Sequence, residues 1–121
     1  MTFQIFAEIA PLQYDTVRMY TVPGGSNLGV QGTLLIINTG NSMVNSGNLA
    51  ADYGRDSDFM RVGISSSVVL SSDGFIAYDT LLPPNHMTQL QGLCLPSGAS
   101  LFVYSQKGQT NFVFTGSTIS A

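Results

Sequence analysis

The sequence has 121 residues, a length that favours one domain able to bury an ordinary hydrophobic core without cross-links. Its charged fraction is 9%, against roughly 25% in a typical soluble domain, and its formal net charge is −3. The four basic residues, Arg18, Arg55, Arg61 and Lys107, form no cluster that would follow a phosphate backbone or attract anionic lipid, so we expect no nucleic-acid and no membrane partner.

The shortage of charge is the strongest compositional signal. Ser, Thr, Asn and Gln occupy positions where Lys and Glu normally lie, and an uncharged polar surface loses little solvation energy when another protein covers it. This favours a surface that packs against protein, although some β-sandwiches are simply rich in Ser and Thr. The single cysteine, Cys94, excludes an internal disulfide, and residues 1–6 lack the features of a signal peptide. We therefore expect assembly in a reducing cytoplasm.

Short runs of β-branched and aromatic residues, separated by Gly and Pro, predict strands joined by turns. The first clear strand covers residues 17–22, where simple alternation places Arg18 and Tyr20 on one face. The continuous apolar run over 33–38 predicts a central strand that is buried on both faces. Residues 41–56, rich in Asn, Ser, Gly and Asp, predict a long loop.

The second half of the chain continues the same pattern. Further strands are predicted at 59–64, 75–81, 88–91, 101–104 and 111–115. A total of seven or eight short strands predicts an all-β fold, a single antiparallel β-sandwich that is jelly-roll-like and covers residues 17–121.

Residues 1–16 form a separate lead-in to this domain. Four apolar side chains there have no obvious place in the core of the sandwich: Phe3, Ile5, Phe6 and Ile9. They predict either an arm that binds a neighbouring protein or an extra edge strand, and the sequence leaves both open.

The titratable residues do not form a recognisable catalytic centre. His86 is the only histidine and lies in a predicted loop, without the partners that metal binding or general-base catalysis requires. Cys94 shares a strand face with Leu90 on simple alternation, which predicts a small core side chain. We expect no cofactor and no metal, and an enzyme is the least favoured class.

Two other groups of residues have a functional and a structural interpretation. Asp52, Asp56 and Asp58 lie close together and would supply oxygen ligands for Ca²⁺, but their spacing is not that of an EF-hand and a solvated loop is favoured. An aromatic set alternates along two runs and predicts core packing with cross-strand pairing, with a carbohydrate-binding platform as the sharper alternative. Its members are Phe102, Tyr104, Phe112 and Phe114.

Four groups of residues follow one another in a characteristic order between residues 17 and 120. They are Tyr20-Thr21-Val22-Pro23-Gly24, then Ile36-Ile37-Asn38-Thr39-Gly40, then Tyr78 to Asn85 followed by Leu90 to Leu95, and finally Gly98 to Ser105 with the Phe-rich run 111–114 and Gly116 to Ile119. Their order and spacing resemble those of a group of small tailed-bacteriophage virion accessory proteins. Residues 41–56 and the lead-in depart from that pattern, and these are the segments where a particular partner would be chosen.

The resemblance implies a non-enzymatic bacteriophage virion structural protein. A capsid decoration (cement) protein that stabilises the assembled shell is the first expectation, with the major capsid protein as its partner and homo-oligomer formation. A small tail, baseplate or fibre-attachment component is the alternative, and a carbohydrate-binding module is a second alternative from another class. The expected location is the virion, assembled in the host cytoplasm.

Overall fold

The computed structural model describes residues 4–24, 27–40, 57–66, 70 and 74–120. Over these ranges the chain forms eight β-strands and no helix, which confirms the predicted all-β class. The strands are β1 (Gln4–Ile9), β2 (Asp15–Thr21), β3 (Asn27–Asn38), β4 (Asp58–Ser65), β5 (Phe75–Leu82), β6 (Met87–Pro96), β7 (Ser100–Ser105) and β8 (Thr110–Ser120).

The eight strands form two antiparallel sheets of four that pack face to face. Sheet A has the order β1-β8-β3-β6 and sheet B the order β2-β7-β4-β5. The first strand pairs with the last, the second with the seventh, the third with the sixth and the fourth with the fifth. The chain is therefore one long antiparallel ribbon folded over on itself, which is the jelly-roll arrangement that the sequence predicts.

The core lies between the two sheets and is built by alternate residues of the central strands. Side chains from β3 and β8 of sheet A meet side chains from β4 and β7 of sheet B. The residues that fill it from these strands are Val30, Leu34 and Ile36, Phe112 and Phe114, Met60 and Val62, and Leu101 and Val103.

Strand β3 is central, as predicted, but it is buried on one face only. Leu34 and Ile36 are fully buried in the core, whereas Leu35 and Ile37 on the opposite face are half-buried. The prediction of burial on both faces is therefore wrong for this chain, because the inner face of β3 packs on sheet B, whereas its outward side is only partly covered.

Strand β2 also departs from simple alternation. Its register against β7 shifts between Arg18 and Tyr20, because Met19 forms a bulge. Arg18 lies opposite Phe102, whereas Tyr20 turns inward and its ring lies 5.3 Å from that of Phe6. The prediction that Arg18 and Tyr20 share a face is therefore wrong, and burial raises the pKa of the Tyr20 phenol.

A buried carboxyl group joins both sheets at one end of the sandwich. Asp58, at the start of β4, is 0% exposed. Its Oδ2 accepts hydrogen bonds from the hydroxyls of Ser105 and of Thr110, the latter at 2.6 Å. Its Oδ1 accepts hydrogen bonds from the backbone amides of Phe59 at 2.8 Å and Lys107 at 2.9 Å. These bonds hold the β7–β8 turn against β4.

The interpretation of Asp58 as part of a solvated acidic loop is therefore wrong. The network of donors around it accounts for its burial, since a buried carboxyl group is tolerated only when hydrogen bonds satisfy its oxygens. Asp52, Asp56 and the predicted loop at 41–56 lie outside the described residues.

The described part of the N-terminal lead-in belongs to the sandwich. Strand β1 pairs with β8 and forms an edge of sheet A. Phe6 and Ile9 pack against the core, and the Phe6 ring lies 5.3 Å from that of Phe114. Of the two possibilities left open for residues 1–16, the described strand takes the form of the edge strand.

Candidate functional site

The few charged residues of the chain are divided unequally between the two sheets. Strands β3, β6 and β8, of 12, 10 and 11 residues, contain no charged residue, and Glu8 in β1 is the only one in sheet A. The strands of sheet B contain five, namely Asp15, Arg18, Asp58, Arg61 and Asp79. Sheet A is therefore nearly free of charge, and most of the charged residues in the strands lie in sheet B.

The outward side of sheet A, here called the outer A face, is centred on four apolar side chains. Leu35, Ile37 and Val113 are half-buried, and Met87 is 61% exposed. Leu35 lies beside Val113 on β8, and Ile37 lies beside Met87 on β6, so the four are contiguous across three strands. The uncharged Gln89 lies beside Leu35, and the exposed carboxylate of Glu8 on β1 lies beside Val113.

Cys94 also lies on the outer A face and is exposed, so the prediction that it is a core residue is wrong. The cause is a bulge in β6 at Gly92, whose φ of 70° is left-handed. Leu90 pairs with Leu34 and faces the core, whereas Cys94 pairs with Gln31 and faces outward. The extra residue in the bulge reverses the face on which every later residue of β6 lies.

The structure separates the four apolar residues predicted to bind a partner. Phe6 and Ile9 pack against the core of their own chain. Ile5 is 60% exposed and lies beside Thr115 on the outer A face. Phe3 lies outside the described residues. Partner binding through this segment stays a prediction, and among the described residues Ile5 is the one placed to contribute.

A second surface feature lies on the outward side of sheet B and is here called the Arg61 cluster, formed by Arg61, Tyr78, Asp79 and Tyr104. Arg61 Nε donates to Asp79 Oδ1 at 2.6 Å, and this hydrogen bond raises the pKa of Arg61 above its usual range. The guanidinium carbon of Arg61 lies 4.3 Å from the centroid of the Tyr78 ring and 4.4 Å from that of Tyr104. The cluster is held together by one ion pair and two cation–π contacts.

The aromatic residues predicted from alternation are divided between two environments. Phe112 and Phe114, on β8 of sheet A, are fully buried in the core. Phe102 and Tyr104, on β7 of sheet B, point to the other side of their sheet, opposite Gly63 and Arg61, and are also buried, with exposures of 6% and 9%. The four do not form cross-strand pairs, since β7 and β8 belong to different sheets, and they do not form an exposed platform.

The sequence did not identify the Arg61 cluster. Strand β5 contains a bulge in which Tyr78 and Asp79 face the single residue Arg61, because Thr80 pairs with Met60 and Ala77 with Val62. Asp79 has a φ of 48°, a left-handed conformation that Asp tolerates better than most residues. This long-range geometry leaves no local signal in the sequence.

His86 lies in the turn between β5 and β6 and is exposed, as predicted for a loop residue. Its Nδ1 lies 3.0 Å from the carbonyl oxygen of Pro84. Among the described residues, no group of three or more His, Cys, Asp or Glu side chains is placed to hold a metal ion. None of the secondary structure in the described ranges is a helix long and apolar enough to cross a membrane.

The chain was compared with protein-family models, with curated proteins and with solved structures. No match was found in any of the three comparisons.

Proposed function

We propose that this chain is a non-enzymatic structural protein of a bacteriophage virion, and that within the virion it is a capsid decoration (cement) protein. The observation that carries the proposal is the outer A face, which has apolar side chains at its centre and, in the four strands of sheet A, Glu8 as its one charged residue. The resemblance of residues 17–120 to virion accessory proteins is the reason for proposing that the partner belongs to a phage particle. On this proposal the major capsid protein is the partner.

The chemistry of the outer A face suits burial against protein. Covering a charged side chain without a partner costs several kcal/mol, whereas covering Leu35, Ile37 and Val113 stabilises the complex by about 25 cal/mol per Å² of apolar area. Apart from the Glu8 carboxylate beside Val113, the polar groups around them in sheet A are amides and hydroxyls, which form hydrogen bonds with a protein surface of either charge.

The size of the outer A face also supports the proposal. Four strands spaced by about 4.8 Å span about 19 Å, and strands of 6, 11, 12 and 10 residues extend on average for about 33 Å. The projected area is about 630 Å², most of the roughly 800 Å² that each partner buries in a stable protein–protein interface. One sheet face is therefore large enough to provide most of a binding surface.

The proposal is tested with the substitution Leu35→Lys at the centre of the outer A face. In the free protein the lysine stem lies along the sheet and its ammonium group reaches water, so we expect the fold to persist. In the complex the same charge is buried, and we expect binding to undecorated shells of the same phage to weaken at least about tenfold, measured by co-sedimentation. Leu12→Lys, at an exposed position between β1 and β2, is the matched control and should bind normally.

Two results would count against the proposal. If Leu35→Lys binds shells as tightly as the unmodified chain, the outer A face is not the binding surface. If the unmodified chain sediments with purified tails and not with shells, the chain is a tail component of the virion and not a decoration protein.

A further inference from the structure

The Arg61 cluster is an ordered polar and aromatic site on the sheet that the proposed function leaves uncovered. Arg61 and Asp79 are partly exposed, with side-chain exposures of 25% and 46%, and Tyr78 is 58% exposed. The rings of Phe75 and Tyr78 pack against each other in a T-shaped contact, with 4.9 Å between their centroids. These contacts fix the orientation of the exposed side chains before any ligand binds.

Hydrogen-bonding groups of the cluster are left unused within the described part of the chain. Nε of Arg61 is engaged by Asp79 Oδ1, but its Nη1 and Nη2 groups have no hydrogen-bond partner among the described residues, and neither has Asp79 Oδ2. The site therefore presents N–H donors and a carboxylate acceptor side by side, next to an aromatic ring.

A shallow depression lies beside these groups. Its volume is about 250 Å³, and it is lined by Phe59, Arg61, Asp79, Tyr104 and Gln106. This is below the ~300 Å³ lower bound of ordinary ligand pockets, so it accommodates one ring of a ligand while the remainder extends over the exposed surface of Tyr78.

The electrostatics of the cluster select among ligand classes. An anion is disfavoured, because Asp79 already neutralises Arg61 and the chain carries a net charge of −3. A purely apolar ligand is disfavoured, because it would cover the free N–H groups of Arg61 without satisfying them. A neutral polyhydroxylated ring avoids both problems. Its hydroxyls accept hydrogen bonds from Arg61 and donate hydrogen bonds to Asp79, while its C–H face packs on Tyr78.

We propose that the Arg61 cluster binds a neutral saccharide. The site uses sheet B, whereas the proposed shell-binding surface uses sheet A, so the two proposals can fail separately. A chain bound to a shell through sheet A would present sheet B to the surrounding solution.

The test uses the full chain on an array of neutral glycans with glucose, galactose, mannose, rhamnose and N-acetylhexosamine units, with heparin and polyphosphate as anionic probes. We expect binding to at least one neutral glycan. Tyr78→Ala and Arg61→Lys should each reduce that signal at least about tenfold, since the first removes the ring and the second the planar donor groups. Tyr14→Ala removes another exposed tyrosine, at the β1–β2 turn, and should leave the signal unchanged.

Three outcomes would overturn the proposal. One is the absence of binding to every neutral glycan on the array. Another is binding confined to heparin or polyphosphate, which would make the cluster an anion site. The third is equal loss of signal in Tyr78→Ala and Tyr14→Ala, which would place the saccharide elsewhere. Equal melting temperatures for the variants show that any loss comes from the site and not from unfolding.

Discussion

Asp58 is the residue on which the β7–β8 end of the sandwich depends most directly. Four hydrogen-bond donors converge on its carboxyl group, two from hydroxyls and two from backbone amides. Leaving buried donors without an acceptor costs about 1–3 kcal/mol each, and part of this is recovered when water or new partners reach them. We expect Asp58→Ala to lower the free energy of unfolding by at least about 3 kcal/mol, measured by urea denaturation.

Two further variants make the Asp58 prediction specific. Asp58→Asn keeps one acceptor oxygen, and the hydroxyls of Ser105 and Thr110 can rotate to accept from the new amide, so its effect should be smaller than that of alanine. Asp15→Asn changes an exposed carboxyl group on β2 and should alter stability by less than about 0.5 kcal/mol. Similar small effects for Asp58→Ala and Asp15→Asn would contradict the network.

At the scale of single strands, β1 offers two adjacent apolar residues with opposite roles. Phe6 packs on the rings of Tyr20 and Phe114, whereas Ile5 points outward and is 60% exposed. We expect Phe6→Ala to lower the free energy of unfolding by about 2–4 kcal/mol and Ile5→Ala by less than about 0.5 kcal/mol, measured by denaturation of both variants.

The same pair tests the role of the N-terminal segment in assembly. If a partner covers the outer A face, Ile5→Ala should weaken shell binding without a change in melting temperature. Deletion of residues 1–10 should lower the melting temperature sharply, since it removes both an edge strand and the Phe6 contacts. A truncated chain that melts like the full chain would show that β1 contributes little to the sandwich.

The strands also show which part of the fold could be predicted from the sequence. Alternation correctly placed Met60, Val62 and Ile64 on one face of β4, because that face follows a regular period of two. It failed in β2 and β6, where the bulges at Met19 and Gly92 each shift the period by one residue. An isolated glycine within a strand pattern indicates a bulge, so Gly92 was a usable signal, whereas Met19 carries none.

At the scale of the whole molecule, packing within the chain does not account for the continuous apolar run in β3. Such a run is typical of a strand covered on both faces, yet Leu35 and Ile37 are only half-buried, on the outward side of a sheet that is nearly free of charge. Counting charges strand by strand would have located this face from the sequence. The Arg61 cluster could not have been located in this way, since it depends on a bulge that brings β5 residues over β4.

Cys94 provides a direct measurement of whether the outer A face is covered. Because its side chain is exposed on that face, we expect a maleimide to label it fully in the dilute native protein, without denaturant. In the assembled particle the partner should exclude the reagent, and labelling should fall at least about tenfold, as local opening becomes necessary. Protection that appears in the free protein and disappears on dilution would indicate that two copies of the chain cover the face.

Two cysteine variants in a Cys94→Ser background serve as the positive and negative controls of the labelling experiment. Tyr14→Cys, at the exposed β1–β2 turn, should react in both the free and the assembled states. Leu95→Cys, whose parent side chain is 1% exposed, should react in neither until the chain unfolds. Equal labelling of Cys94 in both states, with these controls behaving as expected, would show that the outer A face stays open in the particle, and the binding surface would then have to lie on sheet B or at a sheet edge.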